Sequence, residues 1–141
     1  MLIRRDFAPD LVIEKEHAVL IDHRRVLIID EDRRTVDKLH EAFVRSGYEA
    51  EIALSGHVGS AIVTERRMSV AVLSAKMGHE KDWTLLKALK KCDPDLPVIL
   101  FDAPKVKGLS REARRAGAAK FLPSPIDAKA VLAAALKVSR N

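Results

Sequence analysis

The chain alternates short runs of consecutive apolar residues with stretches in which apolar positions recur every three or four. Residues 26–29 (VLII) form one such run, ending at Asp30. A run of this kind, rich in β-branched residues, predicts a strand buried on both faces, as in a parallel sheet. After it, Asp32 stands where a helix N-cap would, and Val36, Leu39, Ala42 and Phe43 fall on one helical stripe. Gly47 supplies the stop. The alternation continues with a strand at 49–53 and a helix over 55–65 that turns Val58, Ala61 and Ile62 inward. A strand follows at 70–73 (VAVL), then a helix marked by Trp83, Leu85, Leu86 and Leu89. Pro94 and Pro97 bracket a turn before a strand at 98–101 (VILF). A short basic helix (110–116) then ends at Gly117, and a brief strand (120–122) leads to an alanine-rich helix capped by Asp127.

Five strands alternating with five helices predict an α/β fold. Parallel neighbours need crossovers, so the expected architecture is one five-stranded parallel sheet with helices on both faces. In such sheets the functional site lies at the carboxyl ends of the strands. Here those ends present Asp30 and Glu31, then Ser74, then Asp102, then the loop Pro123-Ser124-Pro125. Residues 1–23 break the alternation. Their apolar stretches, 11–13 and 18–21, flank Glu14-Lys15-Glu16-His17 and predict a small β-hairpin arm or an added edge strand. The expected organisation is therefore an N-terminal extension over 1–23 and one domain over 24–141.

Composition narrows the function classes. With 141 residues, 48% hydrophobic and 32% charged, the chain suits one globular domain and not a disordered tail. One cysteine, Cys92, excludes an intrachain disulfide framework and a cysteine-based zinc site. There are 25 basic and 20 acidic residues, a net charge of +5 that suits an acidic partner. The basic pairs, such as Arg66-Arg67 and Lys90-Lys91, are scattered and read as solvated surface. An aromatic content of 4% argues against a stacking platform for single-stranded nucleic acid, so direct nucleic-acid binding is not expected. No run is long and apolar enough for a membrane span, and the N-terminus carries charges where a signal peptide needs its apolar core. The reading is a soluble, cytoplasmic protein. His17, His23, His40 and His57 show no ligand spacing, and no lysine follows Gly56 and Gly59 as a phosphate loop requires.

Five segments, in this order, carry a resemblance: VLIIDED at 26–32, GYEAEIALSG at 47–56, VAVLSAKMG at 70–78, LPVILFDA at 96–103 and GAAKFLPSP at 117–125. Together they resemble a response-regulator receiver domain of the chemotaxis-regulator type, over residues 24–141. The resemblance implies a flavodoxin-like sheet and a bacterial signalling role in two-component or phosphorelay pathways, not an enzyme. It also implies a phosphorylation site. Two acids after the first strand of the sheet hold Mg²⁺, and an aspartate after the third accepts phosphate. A hydroxyl after the fourth binds the phosphoryl oxygen, and a lysine before a proline after the fifth neutralises it. These parts serve in-line phosphoryl transfer.

Carried over residue by residue, the acidic pair is Asp30 and Glu31. Glu31 reaches one methylene further than the usual aspartate, so any Mg²⁺ site is weak and no cofactor is expected. The acceptor slot holds Ser74, fixed by Met77 on the family's methionine; a shift of one that aligns Asp82 with a downstream acid puts Ala75 there instead. Neither is a carboxylate. A serine without an adjacent general base is a poor nucleophile, and His79 is not expected to serve as one. The hydroxyl slot holds Asp102, and the lysine slot holds Ser124, followed by Pro125, whose bond is usually cis in the family. Lys76 is the nearest cation in sequence. Phe121 occupies the switch-aromatic position, with Lys120 where an acid is usual. Asp30, Glu31 and Asp102 would crowd three carboxylates. Such crowding raises a pKa or draws in a cation, unless the acids bond loop amides and helix N-termini.

The expectation is a degenerate receiver that works without phosphorylation as a protein-interaction module. Its partner would be an acidic protein surface or a second copy. Docking is expected on the face of the fourth helix, fifth strand and fifth helix, which carries Arg111, Arg114, Arg115, Lys120 and Lys129. The alternatives are a live receiver phosphorylated at a non-standard residue such as Ser74 or Asp82, or a basic nucleic-acid-associated regulator fragment. Whether the chain stands alone or is part of a longer regulator is open at this point.

Overall fold

The computed structural model describes the backbone of residues 2–5, 8–14, 17–20 and 24–140, and the side chains of 24–78 and 82–140. Strands β1 (Leu2–Arg5), β2 (Ala8–Glu14) and β3 (His17–Leu20) pair antiparallel in a sheet of their own. They add no edge strand to the main sheet, which corrects that half of the expectation. Ile21 and His23 lie outside the described residues.

The main sheet comprises β4 (Arg25–Ile29), β5 (Glu49–Ala53), β6 (Val70–Ser74), β7 (Val98–Ala103) and β8 (Lys120–Pro123). Its order is β5-β4-β6-β7-β8, and every pairing is parallel. Numbered within this sheet, that is the order 2-1-3-4-5 of doubly wound flavodoxin-like proteins. The helices are α1 (Arg33–Arg45), α2 (Gly56–Glu65), α3 (Ala75–Cys92), α4 (Leu109–Arg115) and α5 (Ala128–Val138).

Each central strand splits its apolar residues between two cores. Leu27, Ile29, Leu73 and Leu100 face α2, α3 and α4 through Ile62, Val63, Leu86, Leu89, Leu109 and Ala113. Val26, Ile28, Val72, Ile99 and Phe101 face α1 and α5 through Val36, Leu39, Phe43, Val131 and Ala135. Burial on both sides is why these strands read as unbroken apolar runs. Asp32, Ser55 and Asp127 cap α1, α2 and α5 by accepting backbone N–H groups from Arg34, Val58 and Lys129.

One expectation about the helices is corrected. In α2 the inward residues are Gly59, Ile62 and Val63, whereas Val58 is 45% exposed and Ala61 lies at the surface. The cause is contact distance. A Cβ on Gly59 would sit 2.8 Å from Cδ1 of the buried Ile29, so the helix packs closely through its glycine face. Helix α3, marked in the sequence by Trp83, Leu85, Leu86 and Leu89, begins at Ala75. Its path is broken at Asp82 (φ 57°) and Trp83 (φ 65°), consecutive non-glycine residues in the left-handed region. Beyond that break Trp83, Leu86 and Leu89 are buried.

The end of the chain is clasped to the sheet's amino edge. Arg140 donates its backbone N–H to Ser69 O (3.1 Å) and Nε–H to Met68 O (3.0 Å), and both terminal guanidinium nitrogens hold the Asp93 carboxylate. Phe43 and Tyr48 meet edge to face at 5.0 Å, and the Tyr48 hydroxyl lies 2.7 Å from Ser139 Oγ. Among the described residues no helix is long and apolar enough to cross a membrane.

Candidate functional site

At the carboxyl edge, β4 ends on Asp30, a carboxylate only 9% exposed. Its N–H donates to Ala53 O at 3.2 Å, which fixes the backbone there. Burial pushes the Asp30 pKa above 3.8, opposed by the amides of Asp32 and Glu31 and by a hydrogen bond from the Ser74 hydroxyl. Asp32 turns away to cap α1 and takes the Thr35 hydroxyl at 3.0 Å. Glu31 stands on the exposed lip, 3.7 Å from Lys76 Nζ. Both side chains are well solvated, so the ion pair contributes little stability.

Ser74 ends β6 and is 3% exposed. Its Oγ accepts the Met77 N–H at 3.3 Å and so caps α3. The hydroxyl oxygen is therefore engaged as the acceptor that starts α3. This explains the early start of α3: a short capping side chain at the strand end lets the helix begin with the next residue. The pairing of β4 with β6 gives Ser74 a carboxylate neighbour that sequence spacing did not reveal.

Asp102 is not part of this group in the way expected. It is exposed, has φ 57°, and sits where the β7–β8 register slips between Leu100 and Ala103. The left-handed backbone accounts for the break in alternation. Asp102 shares a cavity of about 310 Å³ with Ser124, Pro125 and Asp127, and no lysine or arginine lines it. Ser124 donates its N–H to Ala103 O at 2.8 Å, and the Ser124–Pro125 bond is cis. Replacing Asp102 with glycine is expected to stabilise the fold by about 0.5–1 kcal/mol, because only glycine takes positive φ without a Cβ penalty. Urea denaturation of both proteins checks this; a destabilised variant would show that the Asp102 side chain makes a compensating contact.

The donor set fits a six-coordinate hard cation poorly. Asp30 is the one buried carboxylate, Glu31 leans to Lys76, and Ser74 offers a hydroxyl already bonded. Among the described residues no three histidine, cysteine, aspartate or glutamate side chains are placed to hold a metal ion. The crowding of three carboxylates expected from the sequence does not occur there.

A second feature lies beside β8. Phe121 is partly buried and lines a cavity of about 480 Å³ with Pro104, Lys105, Val106, Lys107 and Arg111. Arg114, Arg115 and Lys129 are exposed, and Lys120 is half-buried. Of the expected docking residues, Arg111 and Phe121 thus share one groove. The sequence reading missed Lys105, Val106 and Lys107, although Lys-Val-Lys between Pro104 and Gly108 was a legible signal.

The doubly wound sheet thus carries a buried acidic residue at the end of its first strand and a proline, Pro125, after its last. The response regulator receiver domain model matches residues 26–136, and the chain belongs to that family, the signalling modules of two-component systems. Among curated relatives, the photosynthetic apparatus regulatory protein RegA of Rhodobacter capsulatus is 27% identical over 123 residues, 87% of this chain and 67% of that protein. The transcriptional regulator NtrC of Bradyrhizobium is 27% identical over 107 residues, 76% of this chain but 22% of NtrC. The chain thus spans under a quarter of NtrC. A CheY-like receiver structure from Methanospirillum hungatei superimposes with a TM-score of 0.74 at 23% identity, covering 82% of this chain and 93% of that one. The beryllofluoride-activated NtrC4 receiver dimer gives 0.73 at 22%, with 82% and 95% covered.

Proposed function

We propose that this receiver works without an acyl phosphate, as a constitutive interaction module in a two-component or phosphorelay pathway. The observation that carries the reading is Ser74. It stands at the end of β6, the acceptor position implied by the family resemblance, buried and bonded through its Oγ to the first turn of α3. Two further substitutions support it. Asp102 adds a negative charge where a hydroxyl is usual, and Ser124 removes the cation that would offset phosphoryl charge. The site residues keep the shape of the rim: Asp30 and Glu31 are at most a weak Mg²⁺ site, and Phe121 and Pro125 frame the face that partners meet. That face comprises α4, β8 and α5, with Arg111, Arg114, Arg115 and Lys120. Its partner is a protein with an acidic surface or a second copy; NtrC4, a structural neighbour, has an activated receiver described as a dimer. Output coupled to DNA, as the name of the DNA-binding regulator NtrC describes, would then reach this chain through a partner or a further domain.

A live receiver using Ser74 is the second reading, and one placement favours it: Asp30 follows the strand paired with that of Ser74, one step beyond the Ile29–Leu73 pair, and is buried there as a candidate general base. Incubation with acetyl phosphate and Mg²⁺, followed by intact mass and peptide mapping, separates the two. The expected result is an unchanged mass. A Mg²⁺-dependent gain of one phosphate, mapped to Ser74, Asp82 or any other residue, overturns the proposal.

A further inference from the structure

The receiver family accounts for residues 26–136, which leaves the small antiparallel sheet of β1, β2 and β3 outside it. The register of that sheet sorts its residues by polarity. Ile3, Ile13 and Ala18 stand opposite one another across the three strands, and Leu11 stands opposite Leu20. Successive residues of a strand fall on opposite faces, so Pro9 joins Leu11 and Ile13, and all of these residues share one face. No charged residue is placed on it. The rows Leu2-Glu14-His17 and Arg4-Val12-Val19 share the other face, together with Asp10. The register slips after Arg4 and sets Arg5 opposite Ala8, which keeps Arg5 with the polar rows. A sheet with one apolar face has to bury it against another element. Yet β1, β2 and β3 make extensive contact only with one another.

We infer that this apolar face pairs with the same face of a second copy of the chain, joining two three-stranded sheets into a six-stranded sandwich. An uncharged face is complementary to itself and brings no like charges together, whereas a net charge of +5 works against contact elsewhere on the surface. The charged rows stay in water on the outside of the sandwich. The area agrees. At about 60–120 Å² for each aliphatic residue removed from water, the two faces bury on the order of 1,000 Å², near the lower end of specific interfaces, so the dimer should be reversible. The α/β domain is a poorer partner for the sheet. Among the described residues, its large exposed apolar side chains are spread over α1 (Val44), α2 (Val58), α5 (Leu136) and two loops (Leu54 and Val106). The inference goes beyond the interaction-module reading and does not depend on it.

The test measures the mass of the full chain by analytical ultracentrifugation over a wide range of concentration. The expected result is a monomer–dimer equilibrium that shifts to monomer on dilution and tightens in ammonium sulfate, as apolar burial does. Ile13→Lys, on the apolar face of the central strand, should weaken dimerisation at least about tenfold, while Val12→Lys, its neighbour on the other face, should change it little. Ile13→Lys can also unfold the small sheet, so a milder probe accompanies it. Leu11, the middle residue of β2, is replaced by cysteine in a Cys92→Ser background, and Val12 is replaced in the same way in a second protein. A bismaleimide of about 10 Å, the spacing of packed sheets, should link Leu11→Cys between copies and leave Val12→Cys unlinked. A chain that stays monomeric at every concentration would overturn the inference, with the face then covered by its own domain or by another protein. A dimer that survives Ile13→Lys, a dimer that dissociates as salt rises, or crosslinking that is absent or equal at the two positions would overturn it too, by placing the second copy on another surface. None of these outcomes touches the phosphorylation test above.

Discussion

Replacing Ser74 with aspartate is expected to lower unfolding free energy by about 2–3 kcal/mol near neutral pH. The variant puts a second carboxylate against Asp30 in a pocket where both positions are nearly closed to solvent. Aspartate caps a helix as well as serine does, so loss of the α3 cap is not the cause. The sign follows from the proton count. Asp30 is already held above 3.8 by burial, so the folded state binds more protons than the unfolded chain as pH rises through that raised value, and stability falls. A neighbouring carboxylate widens the window. The loss should therefore shrink as pH drops to about 3.8 and should be relieved by Mg²⁺, which the enlarged acidic set would bind. Urea midpoints at several pH values, with and without Mg²⁺, check this. A variant as stable as the parent, or a loss independent of pH, would mean that the pocket is far wetter than its burial indicates.

The second large effect is expected at the amino edge. Arg140→Ala removes three hydrogen-bonding contacts at once, two to Asp93 and one to Met68 O, and leaves a mostly buried carboxylate without its partner. A loss of about 2–3 kcal/mol follows. The Arg140 guanidinium, chiefly by its hydrogen bond, holds the Asp93 pKa below 3.8. A depressed carboxylate contributes stability that is present above its unfolded pKa and lost as pH falls through its folded one. The difference between parent and variant should therefore be full at neutral pH and narrow only on the acid side of 3.8. Thermal unfolding at neutral and acidic pH measures it, and a constant difference down to strong acid would count against the ion pair as the source.

Much of this was legible in the sequence because burial on both faces leaves a coarse signature. Runs such as VLII, VAVL and VILF mark the central strands without reference to any neighbour. The misses have a common cause in contacts between distant segments and in local backbone state. Gly59 turns inward because Ile29 is close, and nothing in residues 55–65 announces Ile29. The start of α3 was hidden because residues 75–82, AKMGHEKD, lack an apolar stripe; the Ser74 cap supplies what propensity does not. Asp102 was assigned to the acidic rim from its place just beyond the run VILF, but the strand continues to Ala103 and a left-handed φ turns Asp102 out of its alternation. Within the site, Asp30 and Ser74 lie far apart in the chain, and only the parallel pairing of β4 with β6 sets them at neighbouring strand ends. Lys76, the cation nearest to Ser74 in sequence, is the one that reaches Glu31.

The chain holds one tryptophan, and Trp83 is buried at the left-handed break in α3. Its indole emission is thus an intrinsic reporter of that break. Excitation at the red edge of its absorption would follow the loosening of α3 around the break without any attached dye. A spectral change preceding global melting would mean that this helix opens before the sheet does.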